Sequence, residues 1–110
     1  MGRYITTVGT AGTTTREIST TFSASVNDRI LANTASSAYT ITLPANSGLL
    51  VSDTIQIIDI SNNAGSNNLT IGRNSSKING ASEDLTIDVS GAIVSLIYTG
   101  STYGWVVGAV

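Results

Sequence analysis

The residues with the clearest capacity for chemistry are the carboxylates, and Asp59 is the best placed of them. It ends a strand-like apolar run, residues 54–60, and leads into SNNAGSN at residues 61–67. Asn and Gly tolerate positive φ, and Asn side chains bond nearby backbone, so this is turn chemistry. One role for Asp59 is to accept backbone N–H groups of that turn, with Asn67 and Asn68 as further turn residues. The sharper role is calcium binding with Asn62, Asn63 or Asn67, whose hard oxygens would suit the ion. Neither EF-hand nor nonapeptide spacing is present, which favours the structural role and predicts no bound metal. Glu83 and Asp84 are adjacent and read as a solvent-facing loop pair.

Other reactive groups are isolated. The chain has no histidine and no cysteine, so it lacks the commonest general base and metal ligand, and any thiol or disulfide chemistry. Serines abound, yet no motif sets a base beside one, so no catalytic residue and no cofactor are expected. Gly100, Gly104 and Gly108 stand four apart, but between apolar β-type runs they mean turn and bulge rather than a phosphate loop. Tyr98, Tyr103 and Trp105 have the surface for a sugar-stacking platform, although core packing and a subunit interface are commoner fates for such rings. Arg3, Arg16, Arg29, Arg73 and Lys77 are scattered, which argues against nucleic-acid binding, since that needs clustered cations.

The elements that must position these residues are short strands. Residues 92–107 form two apolar runs around Thr-Gly-Ser-Thr, a β-hairpin pattern. Residues 93–98 are apolar on both faces, which predicts a central strand buried on both sides. Tyr103, Trp105 and Val107 follow on a strand whose second face is expected to meet another subunit. Upstream, residues 39–43 alternate cleanly with Tyr39, Ile41 and Leu43 inward, and Pro44 ends the run. Leu49, Leu50 and Val51 are expected to tuck an apolar plug under one end, and Ile78 to anchor a polar stretch.

No stretch has a long helical period, and no repeat of fixed period is evident. Seven to eight short strands with turns every 8 to 12 residues predict an all-β domain, a small antiparallel β-sandwich or jelly-roll-like barrel, over residues 22–110. Residues 1–21 read as an extended N-terminal arm, poor in large apolar groups, with one short strand at residues 4–8. Such an arm is ordered by a partner or packs on its own domain; the first reading makes Tyr4, Ile5 and Val8 interface candidates.

At 110 residues the chain is one domain. Charged residues make up only 11%, and formal net charge is −2. A solvated surface usually carries about twice that share of charge. Ser, Thr and Asn replace it, which suits a surface of neutral hydrogen-bonding groups, part of it against other subunits. Disorder is excluded by 41% hydrophobic residues in alternating runs. No run approaches the ~20 apolar residues of a membrane span, and the N-terminus lacks a signal-peptide segment.

Several pieces in order resemble a known module: residues 40–45 (TITLPA), 53–59 (DTIQIID), 67–71 (NNLTI), 78–80 (ING), and 94–100 (VSLIYTG) with Gly104-Trp105. Across residues 22–107 the chain resembles a module of tailed-phage virion proteins, especially small structural proteins and tail-fibre segments of phages of marine cyanobacteria. The resemblance implies a non-enzymatic virion component, usually a homotrimer, made in the host cytoplasm. Fibre proteins of this kind carry further domains for attachment and receptor binding; this sequence has the module and the arm. A capsid decoration (cement) protein is therefore the expected role, with the arm meeting the major capsid protein or another virion protein. A tail-fibre or other tail-associated protein is the alternative, and a glycan-binding module using Tyr98, Tyr103 and Trp105 is a third reading.

Overall fold

The computed structural model describes residues 12–109, which contain nine strands and no helix. They are β1 Thr14–Ile18, β2 Phe22–Ser23, β3 Asp28–Ala32, β4 Tyr39–Thr42, β5 Thr54–Asp59, β6 Leu69–Gly72, β7 Leu85–Ile87, β8 Ile93–Tyr98 and β9 Trp105–Ala109. They form a five-stranded sheet, β1-β3-β5-β8-β9, and a four-stranded sheet, β2-β4-β6-β7. The protein is thus all-β, but the described residues hold nine strands where seven to eight are expected, and the expectations of purely antiparallel sheets and of a jelly-roll-like barrel need correction. Both sheets are mixed, and neither closes.

The parallel pairing comes from how the chain travels. From β1 to β6 each strand lies in the sheet opposite to its predecessor. Strands β1, β3 and β5 therefore run parallel, and so do β2, β4 and β6. Parallel neighbours need a crossover connection. Here a strand of the other sheet serves as the crossover, where many folds use a helix. The chain winds through three such turns, then folds back with β7, β8 and β9 antiparallel. The turns of the winding differ in length: Thr14 pairs with Asp28, 14 positions on, whereas Arg29 pairs with Gln56, 27 positions on. Unequal turns leave no fixed period in the sequence. β1 falls within the segment expected to be an arm, yet it is an edge strand of the domain's own sheet.

Alternating side chains from both sheets fill one core. Ile30, Ile55, Ile57, Leu96 and Trp105 of the larger sheet share it with Tyr39, Ile41, Leu69, Ile71 and Ile87 of the smaller, and Leu43 follows β4 into it. Ile78 is buried as well. Two other expectations change. Strand β8 is buried on one face only: Leu96 and Tyr98 point into the core, whereas Ile93 and Ile97 are exposed. Leu49 packs on the core, but Leu50 and Val51 project into solvent at 69% and 67% exposure, so they form no plug. The cause is a turn in which the Leu50 N–H donates to Asp53 Oδ2 at 2.8 Å and the Asp53 N–H donates to the Leu50 carbonyl at 3.0 Å. Ser52 takes φ 84° within it and turns the two side chains outward.

The β9 edge is covered. The Trp105 N–H donates to the Lys77 carbonyl at 2.8 Å, the Asn79 N–H to the Trp105 carbonyl at 2.7 Å, and the Val107 N–H to Asn79 Oδ1 at 3.0 Å. Residues 77–79 thereby occupy backbone groups that would otherwise recruit a foreign strand. Gly104 makes this approach possible. It has φ 71°, and a Cβ there would collide with the Lys77 carbonyl.

Candidate functional site

The densest polar constellation surrounds Asp59 at the C-terminal end of β5. The carboxylate is buried. Its Oδ1 accepts from Ser61 Oγ at 3.0 Å, and its Oδ2 accepts the backbone N–H groups of Asn63 at 3.0 Å, Ala64 at 3.0 Å and Gly91 at 2.9 Å. Burial pushes the carboxyl up, but the bonds from Gly91, Ala64, Ser61 and Asn63 outweigh it, and the pKa is lowered from 3.8. A carboxylate surrounded by N–H and O–H donors stays ionised without a cation.

The neighbouring asparagines complete the knot. Asn63 Nδ2 and Asn67 Nδ2 both donate to the Thr34 carbonyl, at 3.0 and 2.8 Å, and Asn68 Nδ2 donates to the Ala64 carbonyl at 2.7 Å. The Thr34 N–H donates in turn to Ser61 Oγ at 2.9 Å. The calcium arrangement is therefore not assembled. The Asn63 and Asn67 amides present N–H groups inward, and the Asp59 oxygens already hold donors. Among the described residues no group of three or more acidic, His or Cys side chains gathers as a metal site. The cluster can lock the ends of β3, β5 and β8 together, and it offers no free base or nucleophile. Its reach to Gly91 and Thr34 is not visible in local sequence, because both partners lie about 30 residues from the turn that they meet.

The aromatic residues separate. Tyr98 and Trp105 stack edge to face in the core, ring centroids 5.4 Å apart. Trp105 is 0% exposed, so its expected place in a subunit interface is corrected: its ring fills the chain's own core. Tyr103 lies in the β8–β9 turn rather than in the strand, and is 63% exposed. A sugar platform of these three rings is thus not formed. Val107 is half-buried, and Tyr4, Ile5 and Val8 lie outside the described residues. Of the acidic loop pair, Asp84 Oδ1 accepts the Arg73 N–H at 3.0 Å.

Two surface features had no clear sequence signal. One is the apolar end around the Leu50–Asp53 turn. The other is a groove of about 160 Å³ between β7 and the β8–β9 hairpin, lined by Leu85, Ile87, Val89, Ala92, Val94 and Val107, with Thr86 and Asp88. A polar depression of about 140 Å³ lies over β3 and β5, where Arg29 Nε donates to Gln56 Oε1 at 2.9 Å. Beneath it the buried Asp28 accepts from Arg16 Nε at 3.2 Å and from the Ser25 N–H at 2.8 Å. Comparison with protein-family models returns no match, and neither does comparison with curated proteins.

Proposed function

We propose that this chain is a non-enzymatic structural protein of a tailed-phage virion, a homotrimeric capsid decoration protein whose two sheets form an open sandwich. One observation carries the reading furthest. The buried carboxylates of Asp28 and Asp59 are committed to internal bonds, while large aliphatic side chains such as Leu50, Val51 and Val89 are held in solvent. Such an arrangement suits a rigid body that works through contact with other proteins. The low charge and the virion-like order of residues 22–107 agree with it. The major capsid protein, or another virion protein, is the expected partner of the N-terminal arm, residues 1–21.

A tail-associated role is the second reading. The specific feature favouring it is β1, an edge strand that leaves the first turn of the winding open to a further strand. Electron cryomicroscopy of the particle, with this chain located in the map, tests both. Density on the head supports decoration, density on the tail supports the second reading, and particles without the chain remove both.

A further inference from the structure

Asn79–Gly80 is the one Asn-Gly step in the sequence. Such a step can modify itself, because glycine leaves the backbone nitrogen after asparagine unhindered. That nitrogen attacks the asparagine Cγ; the new N–Cγ bond forms and the Cγ–Nδ2 bond breaks. The amide proton leaves with Nδ2 as ammonia, and a succinimide ring remains. Water then opens the ring at either carbonyl. One opening gives aspartate, and the other gives isoaspartate, whose main chain is longer by a methylene.

The fold holds each participant in that reaction. Asn79 and Gly80 have φ 52° and 78°, the left-handed backbone that the two central residues of a type I′ turn require. The turn is closed by the Ile78 N–H on the Ala81 carbonyl at 2.9 Å and the Ala81 N–H on the Ile78 carbonyl at 3.0 Å. The attacking group, the Gly80 N–H, donates to the Tyr103 carbonyl at 2.8 Å. The attacked group is pinned as well: Asn79 Oδ1 accepts the Val107 N–H at 3.0 Å, and the Asn79 N–H donates to the Trp105 carbonyl at 2.7 Å. Both residues are exposed, so water reaches them. Restraint by β9 and the turn before it, not burial, is what stands against the reaction.

We propose that Asn79–Gly80 is a latent self-modification site, kept shut by the β9 edge and released to succinimide when residues 77–79 lift from it. The two products differ in what they leave behind. An aspartate at position 79 still offers an oxygen to the Val107 N–H, and a charged acceptor strengthens such a bond. Isoaspartate adds a backbone atom inside a two-residue turn, so the bonds to Tyr103, Trp105 and Val107 cannot all be remade. The edge that residues 77–79 cover is then bared to foreign strands.

Full-length protein incubated in mildly alkaline buffer and followed by peptide mapping tests this, through the mass gain of amide-to-acid conversion at residue 79. Folded wild type is expected to modify at least about tenfold more slowly than the same chain unfolded in urea, because only the open fraction reacts. Equal rates overturn the proposal. Gly104→Ala, where a Cβ meets the Lys77 carbonyl, should modify faster than wild type, and an unchanged rate overturns the proposal. Wild type alone gives a reading that does not depend on that variant folding. Below its unfolding transition, added urea should speed Asn79 modification and Val107 amide exchange in parallel; modification that speeds up only with global unfolding overturns the proposal. The isolated isoaspartate form should exchange its Val107 amide faster than Asn79→Asp does, and equal exchange overturns the bared edge.

Discussion

The Asp59 carboxylate accepts the Gly91 N–H at 2.9 Å across 32 residues of sequence, and so ties the end of β5 to the turn that launches β8. The same oxygen holds Asn63 and Ala64, so one atom gathers three backbone N–H groups. Removing that carboxylate leaves several buried donors without partners. Asp59→Ala is expected to cost about 3 to 5 kcal/mol, and Asp59→Asn about 2 kcal/mol or more, measured by urea unfolding.

The pH dependence of that contribution has a definite sign. The folded pKa of Asp59 lies below its ordinary value of 3.8. Its stabilisation is therefore complete above the unfolded pKa and is lost as pH falls through the lowered folded value. The stability difference between wild type and Asp59→Asn should shrink as pH is lowered below 3.8 and stay level above it. A difference that grows on acidification would contradict this.

Gly104 and Gly100 form an internal comparison. Both have positive φ, but only at Gly104 would a Cβ meet backbone, the Lys77 carbonyl. Gly104→Ala is expected to cost more than about 2 kcal/mol and to loosen residues 77–79 from the β9 edge, read as faster amide exchange at Val107. Gly100→Ala should cost about 1 kcal/mol, from backbone conformation alone.

The two rings of the β8–β9 region should differ sharply. Trp105→Ala removes a fully buried side chain and is expected to cost about 3 to 5 kcal/mol by thermal or urea unfolding. Tyr103→Ala touches an exposed turn residue and should change stability by less than about 0.5 kcal/mol.

Ser52 sits at φ 84°, where glycine is more comfortable. Ser52→Gly is expected to raise stability by about 0.5 kcal/mol, the relief of strain exceeding the added chain entropy. A loss of stability there would mean that the turn is not strained.

Much of the local structure is legible in the residues. The alternation Tyr39, Ile41, Leu43 shows which side of β4 is buried, because the other side is wetter. The turn after Asp59 is legible because Asn and Gly favour its backbone. Strand direction is not, since a period of two looks the same in parallel and antiparallel pairs, and turn residues show that a chain reverses without showing which sheet it enters. Apolar runs also mislead where the protein exposes them. Ile93, Ile97, Leu50 and Val51 read as core by composition alone, yet one face of β8 and one tight turn present them to water.

The decoration role is tested most directly on the shell itself. Phage heads lacking this chain would be mixed with the purified protein, and the temperature at which they release DNA followed with and without it. The account predicts that the chain pellets with the heads to a saturating stoichiometry and raises their release temperature. Heads that release DNA at the same temperature, with the chain left in the supernatant, would contradict it.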